Sequence, residues 1–267
     1  MLRHLRLFGS FAKFSLLNEM SFRANYLIKV FVEVQWLTLM IFFYNTLFTK
    51  TQDVAGWEKY EYFFFLGCFY ALEGAIETLF MTNFSEFAEL VRTGNLDFVL
   101  VKPVDEQFMV SLKSFEWSTI PNVIMGFSMM IFGAWHLPIS WEPSRIAGLI
   151  IGGISGLAIA YSFLLMLASS SVWLVRNQSL YELWWLFTSL MRYPREIYDA
   201  TWWSSYIGRF FTFVIPVLLA VNVPASSMVK MLEPRLVAYT VGSAIMLFLL
   251  SRYVFRWALR SYRSASS

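Results

Sequence analysis

The sequence predicts an all-α polytopic membrane protein, and three observations predict it. The chain of 267 residues is 58% hydrophobic and 19% aromatic but only 15% charged, outside the usual composition of soluble domains. Apolar runs recur at about the 20 residues that a helix needs to cross the hydrocarbon core. Most connections are short, which leaves room for six spans and no separate soluble domain, so residues 1–267 are expected to form a single transmembrane domain.

Residues 1–23 place Leu7, Phe11, Phe14 and Leu17 at helical spacing with basic residues between them. This is the pattern of an amphipathic interfacial helix lying on anionic membrane lipids. Span one is expected over Leu27 to Phe48 and span two over Tyr62 to Met81, with Trp57 and Tyr60 of their loop in the outer headgroup belt. Arg3, Arg6, Lys13, Arg23 and Lys29 precede the first span, and Arg252, Arg256, Arg260 and Arg263 close the last. The excess of Lys and Arg places both termini in the cytoplasm. No A-x-A-like cleavage site follows the first apolar run, so the first span is expected to stay in the mature protein.

Residues 83–118 interrupt the apolar pattern as a cytoplasmic connector. In NFSEFAELVRTG, Asn83 is placed to cap a helix with Glu86 three residues on, Phe84, Phe87, Leu90 and Val91 form a stripe, and Gly94 stops it in a left-handed conformation. NLDFVLVKP is expected to be extended toward Pro103, and DEQFMVSLKSFEW to resume a helix with Asp105 near its start. Such a helix either lays its apolar face into a groove on a soluble partner or rests on lipid. Ile120 to Leu137 and Ile146 to Val175 read as spans three and four, joined by the tight external turn LPISWEPS. Gly148, Gly152, Gly156 and Ala160 put a small residue at every fourth position of span four, a helix-packing face within the subunit or between subunits.

Residues 176–235 admit two topologies. In one, residues 175–192 cross outward, and the Pro-interrupted segment from Tyr206 to Met228 dips into the outer leaflet and returns. In the other, residues 176–206 stay inside and only 207–223 cross, which puts Arg176, Arg192 and Arg195 in the cytoplasm as positive-inside counting prefers. The last span, Leu236 to Trp257, runs inward in both.

Neither G-x-x-x-x-G-K-[ST] nor G-x-G-x-x-G occurs, so any ATP and its Mg must be bound by a partner. The lone Cys68 excludes an internal disulfide and a cysteine-based metal cluster, and His4 and His136 lie too far apart for a zinc site or a Ser-His-Asp triad. No catalytic, cofactor-binding or metal residue is assigned, and no nucleic-acid partner is expected. Glu33 in span one and Glu73 and Glu77 in span two are charges at membrane depth, which usually face a bundle interior, a partner or a water-filled path. Glu73 and Glu77 share a helix face. They serve either packing or an acidic path that favours a cationic substrate, while Glu33 has Lys29 four residues before it as a local partner.

The segment RTGNLDFVLVKPVDEQF, with its glycine, Leu-Asp, short apolar run and Lys-Pro step, resembles the signature of permease subunits of ABC type-2 exporters. YPREIY and FFTFVIPVLLAVNVPASSM match the Tyr-Pro, Phe-x-x-Pro and Asn-x-Pro pattern of the branch that includes viologen and multidrug exporters. The resemblance implies six spans and two permeases, alike or different, seated on two ATP-binding-cassette ATPase subunits in a bacterial inner (plasma) membrane. It makes the connector a coupling helix that docks on the ATPase, with Phe87, Leu90, Gly94, Asp97, Leu100, Lys102 and Pro103 transmitting closure of the ATP dimer. It also implies an outer re-entrant hairpin over residues 193–228, marked by Tyr193, Pro194, Pro216 and Pro224, and so favours the first topology. The function then expected is ATP-driven export of a hydrophobic or amphipathic small molecule, cations among the candidates. The competing reading is a membrane scaffold that recruits a soluble partner through residues 83–118.

Overall fold

The computed structural model describes residues 2–174, 179–199, 201–231 and 233–262. The predicted end of the fourth span at Val175, and Arg176 and Arg263 of the charge count, lie outside them. The described residues form twelve α-helices and one two-stranded hairpin. Helix α1 (Leu2–Ser21) is the expected N-terminal helix and turns at Phe22 into α2 (Arg23–Leu47). Strands β1 (Asp53–Val54) and β2 (Trp57–Glu58) pair across Ala55 and Gly56, both at positive φ. Helix α3 (Lys59–Ile76) starts with a capping box between Glu58 and Glu61 and continues through a π-turn, Glu77–Met81, into α4 (Thr82–Thr93).

Five helices are long and apolar enough to cross a membrane: Arg23–Leu47, Lys59–Thr93, Trp117–His136, Pro143–Ser170 and Pro234–Ser261. A bent pair brings the number to as many as six, in keeping with the predicted all-α polytopic fold. Helix α5 (Asp97–Leu100) and α6 (Glu106–Leu112) lie in the connector, and α7 (Ile120–His136) and α8 (Pro143–Ser170) are the third and fourth spans. Then come α9 (Ser179–Met191), α10 (Trp202–Arg209), α11 (Leu219–Val229) and α12 (Pro234–Ser261).

The bundle has two distinguishable ends. At the terminal end, α1 touches the loop after α6 through Phe8 and Phe115, and Phe87 of α4 meets Phe255 of α12. At the loop end, the Trp57 indole donates to Glu196 Oε2 at 3.1 Å and Lys230 Nζ donates to the Gly56 carbonyl at 2.9 Å. Residues 196 and 230 therefore bracket a segment whose two ends return to one side. Between them α10 and a second π-turn, Phe210–Val214, meet α11 at 91° across Ile215 to Leu218, where Pro216 breaks the helix. The segment is a hairpin that leaves and returns to one end of the bundle, and its bent pair of apolar helices is either one broken span or a re-entrant loop.

Trp173 packs on Trp257 at the terminal end, so the chain changes ends between residues 174 and 196, with α9, about 20 Å long at 1.5 Å per residue, in between. This corrects the positive-inside reading. Arg192 does not lie at the terminal end; its guanidinium stands 5.4 Å from the Phe69 ring centroid, inside the bundle. Arg195 is at the loop end, paired with Glu196 and Glu233.

Small residues set the closest helix contacts. A Cβ on Gly126 of α7 would lie 2.3 Å from the Ala71 backbone nitrogen of α3, and one on Gly156 of α8 would lie 2.3 Å from the Ala220 carbonyl oxygen of α11. Backbones this close are held by direct van der Waals contact. The stripe of Gly148, Gly152 and Gly156 thus has its partner inside the chain: Gly152 faces Pro224 of the hairpin, Gly156 faces Ala220, and Gly148 is buried on the same helix. Trp57, expected in the headgroup belt, is fully buried under Lys230, whose Nζ lies 4.2 Å from its ring centroid. Its indole N–H needs a partner once buried, and Glu196 supplies it.

Candidate functional site

Two constellations carry the expected site residues: the connector at the terminal end and the carboxylates between α2 and α3. In the connector, Gly94 sits at φ +73°, and the Gly94 and Asn95 N–H groups donate to the Val91 and Leu90 carbonyls, the left-handed helix stop expected there. Two expectations are corrected. Asn83 is not a helix cap: its amide donates to the Leu79 and Ser114 carbonyls and its Oδ1 accepts from Ser114 N–H, so it ties an unbroken helix to the loop after α6. The run 77–83 holds no glycine or proline to stop the helix, and the π-turn absorbs the irregularity. Residues 97–100 are a helical turn, not an extended run, because Pro103 restrains only Lys102 before it, while Val99 and Leu100 N–H groups bond the Leu96 carbonyl. Asp105 caps α6 as expected, accepting from Phe108 N–H at 3.0 Å.

The apolar stripe of α4 points into the bundle. Phe87 is 1% exposed against Phe255, and Leu90 is partly buried in the same core. The stripe therefore holds the connector to the spans, and a different surface faces outward. Phe98 and Val101, in the α5 turn, are 72% and 79% exposed, with Lys102 and Pro103 exposed beside them. Leu96 and Val99 pin the turn from below, Leu100 is half-buried, and Asp97 stands in the first turn of α5. The sequence reading passed over Phe98 and Val101 because an extended strand would have alternated their faces.

The loop after α6 is clamped from both sides. The Trp117 N–H donates to Glu19 Oε1 at 2.7 Å, its indole to the Ala12 carbonyl at 3.0 Å, and the Phe115 N–H to Ser15 Oγ at 3.0 Å, all on α1. Lys29 of α2 donates to Glu116 Oε1 at 2.6 Å. Lys29, the expected partner of Glu33, thus reaches across to this loop. Burial pushes the Glu116 carboxyl up, but hydrogen bonds from Lys29, Ser118 and Thr82 outweigh it and hold the group below its ordinary range. Burial raises Glu19, whose Oε2 is buried without a hydrogen bond.

Deeper in the bundle, Glu33 of α2 and Glu73 and Glu77 at the end of α3 lie within electrostatic reach of one another. The structure brings the three together, although Glu33 is distant in sequence. The Asn122 amide on α7 donates to Glu77 Oε2 at 3.1 Å, and Arg192 lies within electrostatic reach of Glu73. Asn122 Oδ1, the Tyr70 hydroxyl and Arg192 Nε are buried without hydrogen-bond partners among the described residues. Three carboxyl groups and one guanidinium lie at this depth, with Phe69, Tyr70, Tyr44 and Tyr62 around Arg192. Arg192 and Asn122 had no local spacing to mark them, since their partners are on other helices.

Tyr193, Pro194, Pro216 and Pro224 belong to the hairpin region and do not approach the connector. Tyr193 is exposed, Pro194 is buried before the 3-10 turn Arg195–Asp199, Pro216 lies at the 91° bend, and Pro224 sits inside α11 against Gly152. Among the described residues no group of three or more His, Cys, Asp or Glu side chains is arranged to hold a metal ion.

The family model described as ABC-2 family transporter protein matches residues 34–266. No curated protein and no solved structure matches the chain.

Proposed function

The chain belongs to the ABC-2 transporter family and is a membrane permease component of an ABC transporter, and from that premise we propose that it exports a hydrophobic or amphipathic small molecule, cations included. ATP, with Mg, is bound on a separate ABC ATPase subunit that hydrolyses the ATP, and a second permease, identical or different, completes the pathway. The terminal end is then cytoplasmic, in the inner membrane of a bacterium.

The observation that carries this reading is the α5 turn. It presents Phe98 and Val101 outward at the terminal end while Leu96, Val99 and Phe87 anchor it to α4, α6 and α12. Large exposed apolar side chains on a rigid polar-flanked connector fit a groove on a soluble protein. A push on this turn is delivered through the continuous helix Lys59–Thr93 to the depth of Glu73 and Glu77. Alternating access would follow from rocking that helix and its packed neighbour α7.

The test replaces Val101 with Glu. The variant is expected to reach the membrane in normal amount and to lose substrate-stimulated ATP hydrolysis by the assembled transporter. Hydrolysis at the wild-type level, with the ATPase still bound, would remove the coupling role from this turn.

A further inference from the structure

A groove that plays no part in that reading runs between α8 and α12. Its apolar section holds about 370 Å3 and is walled by Ile151, Ile154, Ala158, Ala244, Ile245 and Phe248. At Ile154, Ala158 and Phe248 it meets a second, mainly apolar chamber of about 410 Å3 toward the terminal end, whose wall Asp105, Gln107, Ser111 and Arg252 join. Arg252 stands there. Its Nη1 donates to Gln107 Oε1 at 3.0 Å and its Nη2 to Asp105 Oδ2 at 3.3 Å. The buried Gln107 in turn donates to the Tyr161 hydroxyl at 2.9 Å, and buried Ser111 bonds the same hydroxyl at 2.8 Å. A buried network therefore fixes the guanidinium at the mouth of an apolar slot.

Two geometric facts identify what fits. Arg252 uses two of its five N–H donors within the chain, which leaves three for the oxygens of an anion. From Arg252 to Val241, the far lining residue on α12, the helix rises about 16 Å at 1.5 Å per residue. That is about half of the ~30 Å hydrocarbon core, the depth of one leaflet. Arg256 lies four residues on, on the same helix face, and adds positive charge beyond the mouth.

We propose that the groove is a binding site for one glycerophospholipid, its phosphate on Arg252 and one acyl chain between α8 and α12. Guanidinium N–H donors at headgroup depth, those that remain beside the Asp105 ion pair, and an apolar slot one leaflet long match this amphiphile. Neither feature alone selects it.

Native mass spectrometry of the assembled, delipidated transporter, titrated with phosphatidylglycerol and separately with diacylglycerol, tests the site. The wild type is expected to hold one phosphatidylglycerol per chain tightly, and diacylglycerol, which lacks the phosphate, about tenfold more weakly. Arg252→Gln should weaken phosphatidylglycerol by a similar factor while Arg252→Lys retains most of it. Ile245→Trp, which fills the slot from an exposed position, should weaken both lipids. Absence of a tight lipid on the wild type, or equal binding of both lipids to wild type and Arg252→Gln, overturns the proposal. So does a disulfide between copies carrying Ile245→Cys, which would place a second permease in the groove. None of these readouts depends on ATP hydrolysis or export, so the site stands or falls separately from the coupling role of α5.

Discussion

Gly126 shows how much of this molecule is decided by single atoms. A methyl group there would overlap the Ala71 backbone nitrogen at 2.3 Å, and backbone has nowhere to go. Gly126→Ala is expected to destabilise by about 1–3 kcal/mol or more, as overpacking of a tight interface does. Gly153→Ala, one residue from the packed Gly152 and with nothing within 4 Å of the added carbon, should be neutral. Thermal unfolding of the two variants in detergent separates them, and a Gly126→Ala protein as stable as wild type would refute the close α3 to α7 approach. The sequence marked the stripe at Gly148, Gly152 and Gly156 because it repeats every fourth residue. Gly67 and Gly74 of α3 and Gly126 and Gly133 of α7 carry an equally tight interface, but with only two glycines on each helix, seven apart, neither shows a repeated run.

At the scale of elements, α1 is held by Glu19 and Trp117 more than by its own periodicity. Burial raises the Glu19 carboxyl above the ordinary carboxylate range, so its charge costs stability as pH rises through the raised value, and costs nothing below the unfolded one. Glu19→Gln keeps an acceptor for Trp117 N–H and removes the charge. It should raise the melting temperature at pH 7 and leave it unchanged near pH 4, an effect under about 1 kcal/mol because the group is largely solvent-screened. Glu116 has the opposite sign. Its carboxyl is held below 4.5 by Lys29, Ser118 and Thr82, so the stability it contributes is present at neutral pH and is lost as pH falls through its depressed value. Melting curves of Glu116→Gln against pH should converge on wild type in acid and fall below it at pH 7. Helix existence was legible here from apolar run length and capping residues. The joints were not: the unbroken passage through Asn83 and the helical turn at residues 97–100 are set by Ser114 and Leu96, contacts invisible to local spacing.

On the scale of the whole molecule, the hairpin over residues 196–230 decides where charge ends up. By returning residues 196 and 230 to one end, it draws Arg192 into the bundle beside Phe69 and within reach of Glu73. Positive-inside counting groups Arg192 with the termini, but an arginine with a carboxylate neighbour need not lie at that end. The same arrangement makes the sign of transport effects testable. Glu73→Gln with Glu77→Gln removes two acidic groups from beside Arg192, so transport of a lipophilic cation should fall about tenfold or more relative to a neutral analogue of equal size. Arg192→Gln acts in the opposite direction and should raise the cation-to-neutral ratio, while Cys68→Ser, a buried neutral change in the same helix, should leave the ratio alone. Uptake into inverted vesicles energised with ATP measures all three. If the double glutamine variant moved cations as well as wild type, Glu73 and Glu77 would be packing groups held by Arg192 and by the Asn122 amide, and the substrate path would have to be sought on another face of α3.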